Sequence, residues 1–113
     1  MANPVVHFEI NGPDGPKLRS FYSSLFDWKL EIHEEMHYAS VETGGGGIGG
    51  GIGESADANY VTFYVQVPDL QATLNQAEQL GGKTLMPPMH VMEGVDIAMF
   101  ADPDGHPIGI IKG

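Results

Sequence analysis

The residues able to do chemistry fall in a few short groups. In Val5-Val6-His7-Phe8-Glu9-Ile10, His7 and Glu9 are two positions apart. In a strand that spacing sets an imidazole and a carboxylate on one face. Such a pair can hold a ligand, exchange a proton (Glu9 being the candidate general base), or supply part of a metal's coordination. Thr62, Tyr64 and Gln66 alternate in the same manner on a second polar face. Tyr64 and Trp28 offer rings to a flat ligand. His33-Glu34-Glu35-Met36-His37 spells H-E-x-x-H, which on a helix holds zinc between its two histidines with the glutamate as general base. Trp28–His33, however, alternates with period two, and Glu34-Glu35 suits a hairpin tip. His33 and His37 are therefore expected on separate strands, and a zinc protease there is the last alternative. Gly45, Gly47 and Gly50 satisfy G-x-G-x-x-G but lead into another strand rather than a helix, against a phosphate cradle. His90 and His106 are expected in an exposed loop and turn.

Composition narrows the function classes. The chain has no cysteine, which excludes disulfides, thiolate metal sites and thiol nucleophiles and makes the cytoplasm the expected compartment. Five basic residues against 15 acidic ones give a net charge of −10, which argues against nucleic acid and anionic membranes as partners. No apolar run approaches the ~20 residues of a membrane span. Met1-Ala2-Asn3-Pro4 carries no export signal.

The elements that must position these groups follow from periodicity. Val6, Phe8 and Ile10 form one face of a first strand. Asn11-Gly12-Pro13-Asp14-Gly15 is turn chemistry, and Asp14 or Gly15 caps a helix with Pro16 in its first turn. Leu18, Phe21, Tyr22 and Leu25 are the apolar stripe of that helix. Strands follow at Trp28–His33 and Met36–Glu42. Gly44–Gly53, with eight glycines, reads as a loop and then a flat strand containing Ile48 and Ile52, where something approaches the backbone closely. The second half repeats the order. A strand carries Val61, Phe63, Val65 and Val67 on its apolar face. A helix with the stripe Leu70, Thr73, Leu74, Ala77 and Leu80 is capped by Asp69 and stopped by Gly81-Gly82. Strands at Lys83–Met86, Val95–Ala101 and Ile108–Ile111 complete it, with Pro87-Pro88 as a bend. Asp102-Pro103-Asp104-Gly105 turns the last hairpin. Superposing the halves sets His7 on Thr62, Phe8 on Phe63, Glu9 on Tyr64 and Ile10 on Val65. The expected organisation is a single domain, 1–113, with one module at about 1–54 and another at about 55–113.

Phe100-Ala101-Asp102-Pro103-Asp104-Gly105-His106-Pro107-Ile108, the His7 strand and the doubled strand–helix–three-strand order resemble the vicinal oxygen chelate superfamily of glyoxalases, bleomycin-resistance proteins and extradiol dioxygenases. The resemblance implies an α+β fold. Two tandem βαβββ modules would form a cup-shaped, half-open β-barrel with helices outside and a ligand or metal within. It also implies a homodimer. Carried over residue by residue, the first metal-ligand position is His7. The others fall on Thr62, on Gly109 of Ile108-Gly109-Ile110 where the superfamily often has Ile-Glu-Leu, and in the glycine run around Gly49–Gly51. Only His7 keeps a metal-binding side chain. The expectation is therefore binding of a small organic molecule in a cup lined by His7, Glu9, Thr62, Tyr64, Gln66 and Trp28, with no firm cofactor. The alternative is a metal-dependent lyase, isomerase or dioxygenase in which Glu9, Gln66 or a partner chain completes the site.

Overall fold

The computed structural model describes residues 2–113. It contains two α-helices and eight strands, the α+β class expected. The chain divides into two compact units, Val6–Thr62 and Phe63–Gly113, the latter joined by the N-terminal residues up to Val5.

In the first unit, β1 (Val5–Gly12) leads into α1 (Gly15–Phe26). Asp14 caps α1 by accepting from the Lys17 N–H at 3.1 Å, and a proline occupies the first turn as expected. The helix ends on Asp27 in the left-handed region, φ 58°. Next come β2 (Lys29–His33), β3 (Tyr38–Glu42) and β4 (Gly50–Glu54). Their order in the sheet is β2-β3-β4-β1, and β4 pairs with β1 in parallel. The core joins Ile10, Val41 and Ile52 to Phe8, Leu18, Tyr22, Trp28 and Leu30. The α1 stripe is narrower than expected. Leu18 and Tyr22 meet the core, whereas Phe21 and Leu25 are exposed along with Phe26. Phe21 instead walls a groove of about 460 Å³ together with Ile10, Leu18, Tyr22, Tyr60 and Val61.

The second unit repeats the plan. It comprises β5 (Tyr60–Val67, whose first three residues fall in the first unit), α2 (Leu70–Gln79), β6 (Lys83–Met92), β7 (Val95–Ala101) and β8 (Pro107–Lys112). The order is β5-β8-β7-β6, again with the last strand parallel to the first. Val67, Leu70, Leu74, Ala98 and Ile110 form its core, with Val65 and Phe100 against it.

Two expectations are corrected here. On β5 only Val65 and Val67 meet the helix-side core. Val61 and Phe63 are exposed, while Thr62 and Tyr64 of the other face are buried, 5% and 8% accessible. β6 does not stop at Met86: it runs through Pro87-Pro88 to Met92, with register shifts against β7 that absorb residues lacking an N–H to donate. His90 therefore lies in a strand, and its Nδ1 is 2.7 Å from Asp96 Oδ1 across the hairpin. Among the described residues no helix is long and apolar enough to cross a membrane.

Candidate functional site

β1 is a regular strand, so His7 and Glu9 share its face opposite Phe8 and Ile10, which take the helix side. His7 Nε2 lies 2.6 Å from Glu9 Oε2. An ionised carboxylate there would only accept, which requires the donor of this contact to be the Nε2–H tautomer of His7. The side chain of Glu9 is 14% accessible and that of His7 31%.

A third group joins them. Tyr38, the first residue of β3, donates its hydroxyl hydrogen to the same Glu9 oxygen at 3.0 Å, and its oxygen is 3.3 Å from His7 Nε2. β4 lies between β3 and β1, and the phenol crosses it because the strand is glycine there. A Cβ on Gly51 would collide with the Tyr38 hydroxyl, and Gly51 is the register partner of Glu9. On the other face of β4 the ring of Phe8 lies against Gly50. The strand bare of side chains thus receives Tyr38 on its polar face and Phe8 on its apolar face. The close approach expected at the glycine run comes from these two rings. Tyr38 is not among the residues that the spacing along the chain marks for this site. The available signal was a glycine of the same parity as Glu9 on an adjoining strand, which leaves room for a long side chain from the strand beyond.

Tyr60 is also tied to this cluster. Partial burial and, second, the charge of Glu9 push its phenol above the ordinary value of 10.0.

The other expected residues are placed as follows. Trp28 is on the helix side, stacked on Tyr22 at 5.7 Å between centroids and against Phe8 at 5.3 Å and Phe26 at 5.1 Å. Thr62 is buried. Within the second unit the ring of Tyr64 lies against Gly109, its register partner on β8. Glu9 and Tyr64, superposed in the sequence reading, thus each face a glycine of their module's closing strand. Gln66 is half-buried, its side chain beside Gly113.

The H-E-x-x-H reading is overturned. β2 ends at His33, Glu34–Met36 is a single 3₁₀ turn, and His37 takes φ 51° in the left-handed region. The two imidazoles turn to different partners, His33 to Ser40 Oγ at 3.2 Å and His37 toward Glu54 at 3.9 Å. No α-helical face is present to align them on one zinc ion.

The superfamily's divalent ion does not fit these residues. The Nε2 of His7 is committed to Glu9. At Gly109, where the superfamily often places a carboxylate, the space a side chain would need is taken by the ring of Tyr64. Among the described residues no group of three His, Asp or Glu side chains is arranged to hold a metal.

A pair of βαβββ modules, each closed by a parallel pairing of its first and last strands, defines the class of protein. The sequence itself matches the family model of the Glyoxalase/Bleomycin resistance protein/Dioxygenase superfamily over residues 5–110, and the chain belongs to that superfamily. Solved structures agree in fold. A superfamily member from Vibrio splendidus superposes with a TM-score of 0.71 at 13% identity, covering 99% of this chain and 100% of its own. A hypothetical protein from Bacillus halodurans gives 0.71 at 13% identity, covering 100% and 96%. A methylmalonyl-CoA epimerase from Streptomyces coelicolor gives 0.66 at 15% identity, covering 100% and 96%. None of the curated proteins compared matches the chain by sequence.

Proposed function

We propose that this superfamily member binds a small organic molecule at the polar face of β1, through His7, Glu9 and Tyr38 and without a resident metal. Thr62 of the same unit is proposed as further lining, in a compartment taken to be the cytoplasm. The observation that carries the reading is the hydrogen-bonded His7–Glu9–Tyr38 cluster, which is partly accessible and offers a ligand polar atoms already held in place. A thermal-shift screen of small aromatic, cationic and 2-oxo-acid compounds tests it. A true ligand raises the melting temperature by mass action, and that rise is lost in His7→Ala. A rise that survives His7→Ala overturns the site, and a screen with no rise overturns the reading.

The competing reading is a metal-dependent lyase, isomerase or dioxygenase, favoured by the structural likeness to methylmalonyl-CoA epimerase. Metal analysis of protein purified without a histidine tag decides between them. Stoichiometric divalent metal that disappears in His7→Ala establishes the metal-dependent site. We also propose a homodimer, supported by the exposed Leu85, Met89, Val91 and Met92 on β6, and expect light scattering to give twice the chain mass.

A further inference from the structure

We propose that Tyr38, seated in the gap left by Gly51, is a positioning residue that turns Glu9 into an acceptor for a cationic or N–H-bearing ligand. The proposal rests on the binding reading above and names the ligand chemistry of that site.

The two oxygens of Glu9 differ in their partners. Oε2 receives both internal donors, His7 Nε2 at 2.6 Å and the Tyr38 hydroxyl at 3.0 Å. Oε1 accepts from no described residue. Every buried side-chain oxygen and nitrogen among the described residues has a partner, so Oε1 is accessible rather than sealed in. The carboxylate is thus anchored at one oxygen and presented at the other.

Among the described residues its charge is opposed only by the His7 imidazole. Glu9 forms no ion pair with lysine or arginine among the described residues, and its partners are an imidazole and a phenol. A carboxylate only 14% accessible and held by such donors leaves negative potential in front of Oε1. A ligand bringing its own N–H donor and positive charge fills both deficits with one charge-assisted bond. A ligand carboxylate meets repulsion at the same place.

Tyr38 decides the geometry. Its hydroxyl fixes Oε2, and because Oε1 is rigidly attached, it fixes the direction in which Oε1 points. Only glycine at position 51 allows this, since any Cβ there collides with the hydroxyl. The collision is with the tip of a side chain, which can swing aside, so an alanine removes the hydrogen bond while leaving the backbone in place.

The test uses benzamidinium and benzoate, two planar probes of similar shape and opposite charge, titrated into the full chain and followed by amide chemical shifts. Saturable shifts at His7, Glu9 and Tyr38 are expected with benzamidinium and none there with benzoate. Tyr38→Phe is expected to weaken benzamidinium about tenfold, the loss of one hydrogen bond to a charged group. Gly51→Ala should do the same, and the double variant should lose no more than either single one, because both act by removing one hydroxyl contact. A merely structural role predicts additive losses. Benzoate bound at these residues as tightly as benzamidinium overturns the proposal, as does benzamidinium affinity unchanged in Tyr38→Phe or absent in the wild type. A ligand from the screen that is anionic and lost in His7→Ala overturns it too, yet leaves the binding site standing. If Gly51→Ala fails to fold, Tyr38→Phe and Glu9→Gln carry the test, the first expected to give the same tenfold weakening and the second to abolish the preference for the cation.

Discussion

Tyr60 and Glu9 make the charge of the site measurable. Burial, and then the carboxylate, hold the Tyr60 phenol above its ordinary 10.0. A value raised on folding means the folded chain binds that proton more tightly than the unfolded one. The associated stability is complete below pH 10.0 and is lost as pH climbs through the folded value. Ultraviolet titration of the tyrosines should show one phenol ionising late, and Glu9→Gln should move it part of the way back, burial remaining. No movement would separate Tyr60 from Glu9. At this scale the sequence disclosed the strand partners His7 and Glu9, because a period of two needs only neighbours in sequence. Tyr38 was hidden because its place depends on which strand lies between β3 and β1, and pairing order cannot be read from periodicity.

At the scale of elements, the hairpin joining β7 to β8 is held by Asp102. Its Oδ1 accepts from the His106 N–H at 2.9 Å and the Asp104 N–H at 3.0 Å, and its carboxylate meets His106 Nδ1. The backbone bond from His106 is the leading cause that lowers its pKa below the ordinary 3.8. A depressed value contributes stability above the ordinary carboxylate range and loses it as pH falls through the folded value. Acid unfolding of Asp102→Ala should therefore begin from a lower stability at neutral pH and show a shallower decline. α2 rests on Leu74, 1% accessible. Leu74→Ala should cost about 2–5 kcal/mol in denaturant unfolding. The exposed Leu80 at the helix end should cost far less. The turn and both helix caps were legible because Pro, Gly and Asp act locally. The width of the α1 stripe was not: Phe21 and Leu25 fit a helical period, yet the sheet beneath α1 reaches only Leu18 and Tyr22. The extent of β6 was misread for a related reason, since prolines forbid a ladder bond but not an edge position.

For the whole molecule, −10 on 113 residues sets the behaviour in salt. Excess like charge opposes the compact state, and salt screens it over about 10 Å at 0.1 M. The melting temperature should therefore rise when sodium chloride is raised from 10 to about 200 mM, a range over which screening is established. A fall would mean that attractive pairs such as His90–Asp96 outweigh the repulsion. The doubled order of elements, visible in the letters as strand, helix and three strands, was enough for the fold because each module repeats hydrophobic spacing rather than identical residues. The ligand chemistry was not legible there, because it depends on which oxygen of Glu9 is already engaged.

The parallel pairing of β1 with β4 sets a timetable for synthesis. A chain leaving the ribosome makes His7 and Glu9 first, but their strand finds its register partners only when Gly50–Glu54 emerges, after the helix and both intervening strands. Until then Tyr38 has no glycine surface to lie across. Nascent chains halted before Gly50 should remain protease-sensitive, and those long enough for the whole unit to Thr62 to have left the ribosome should gain resistance.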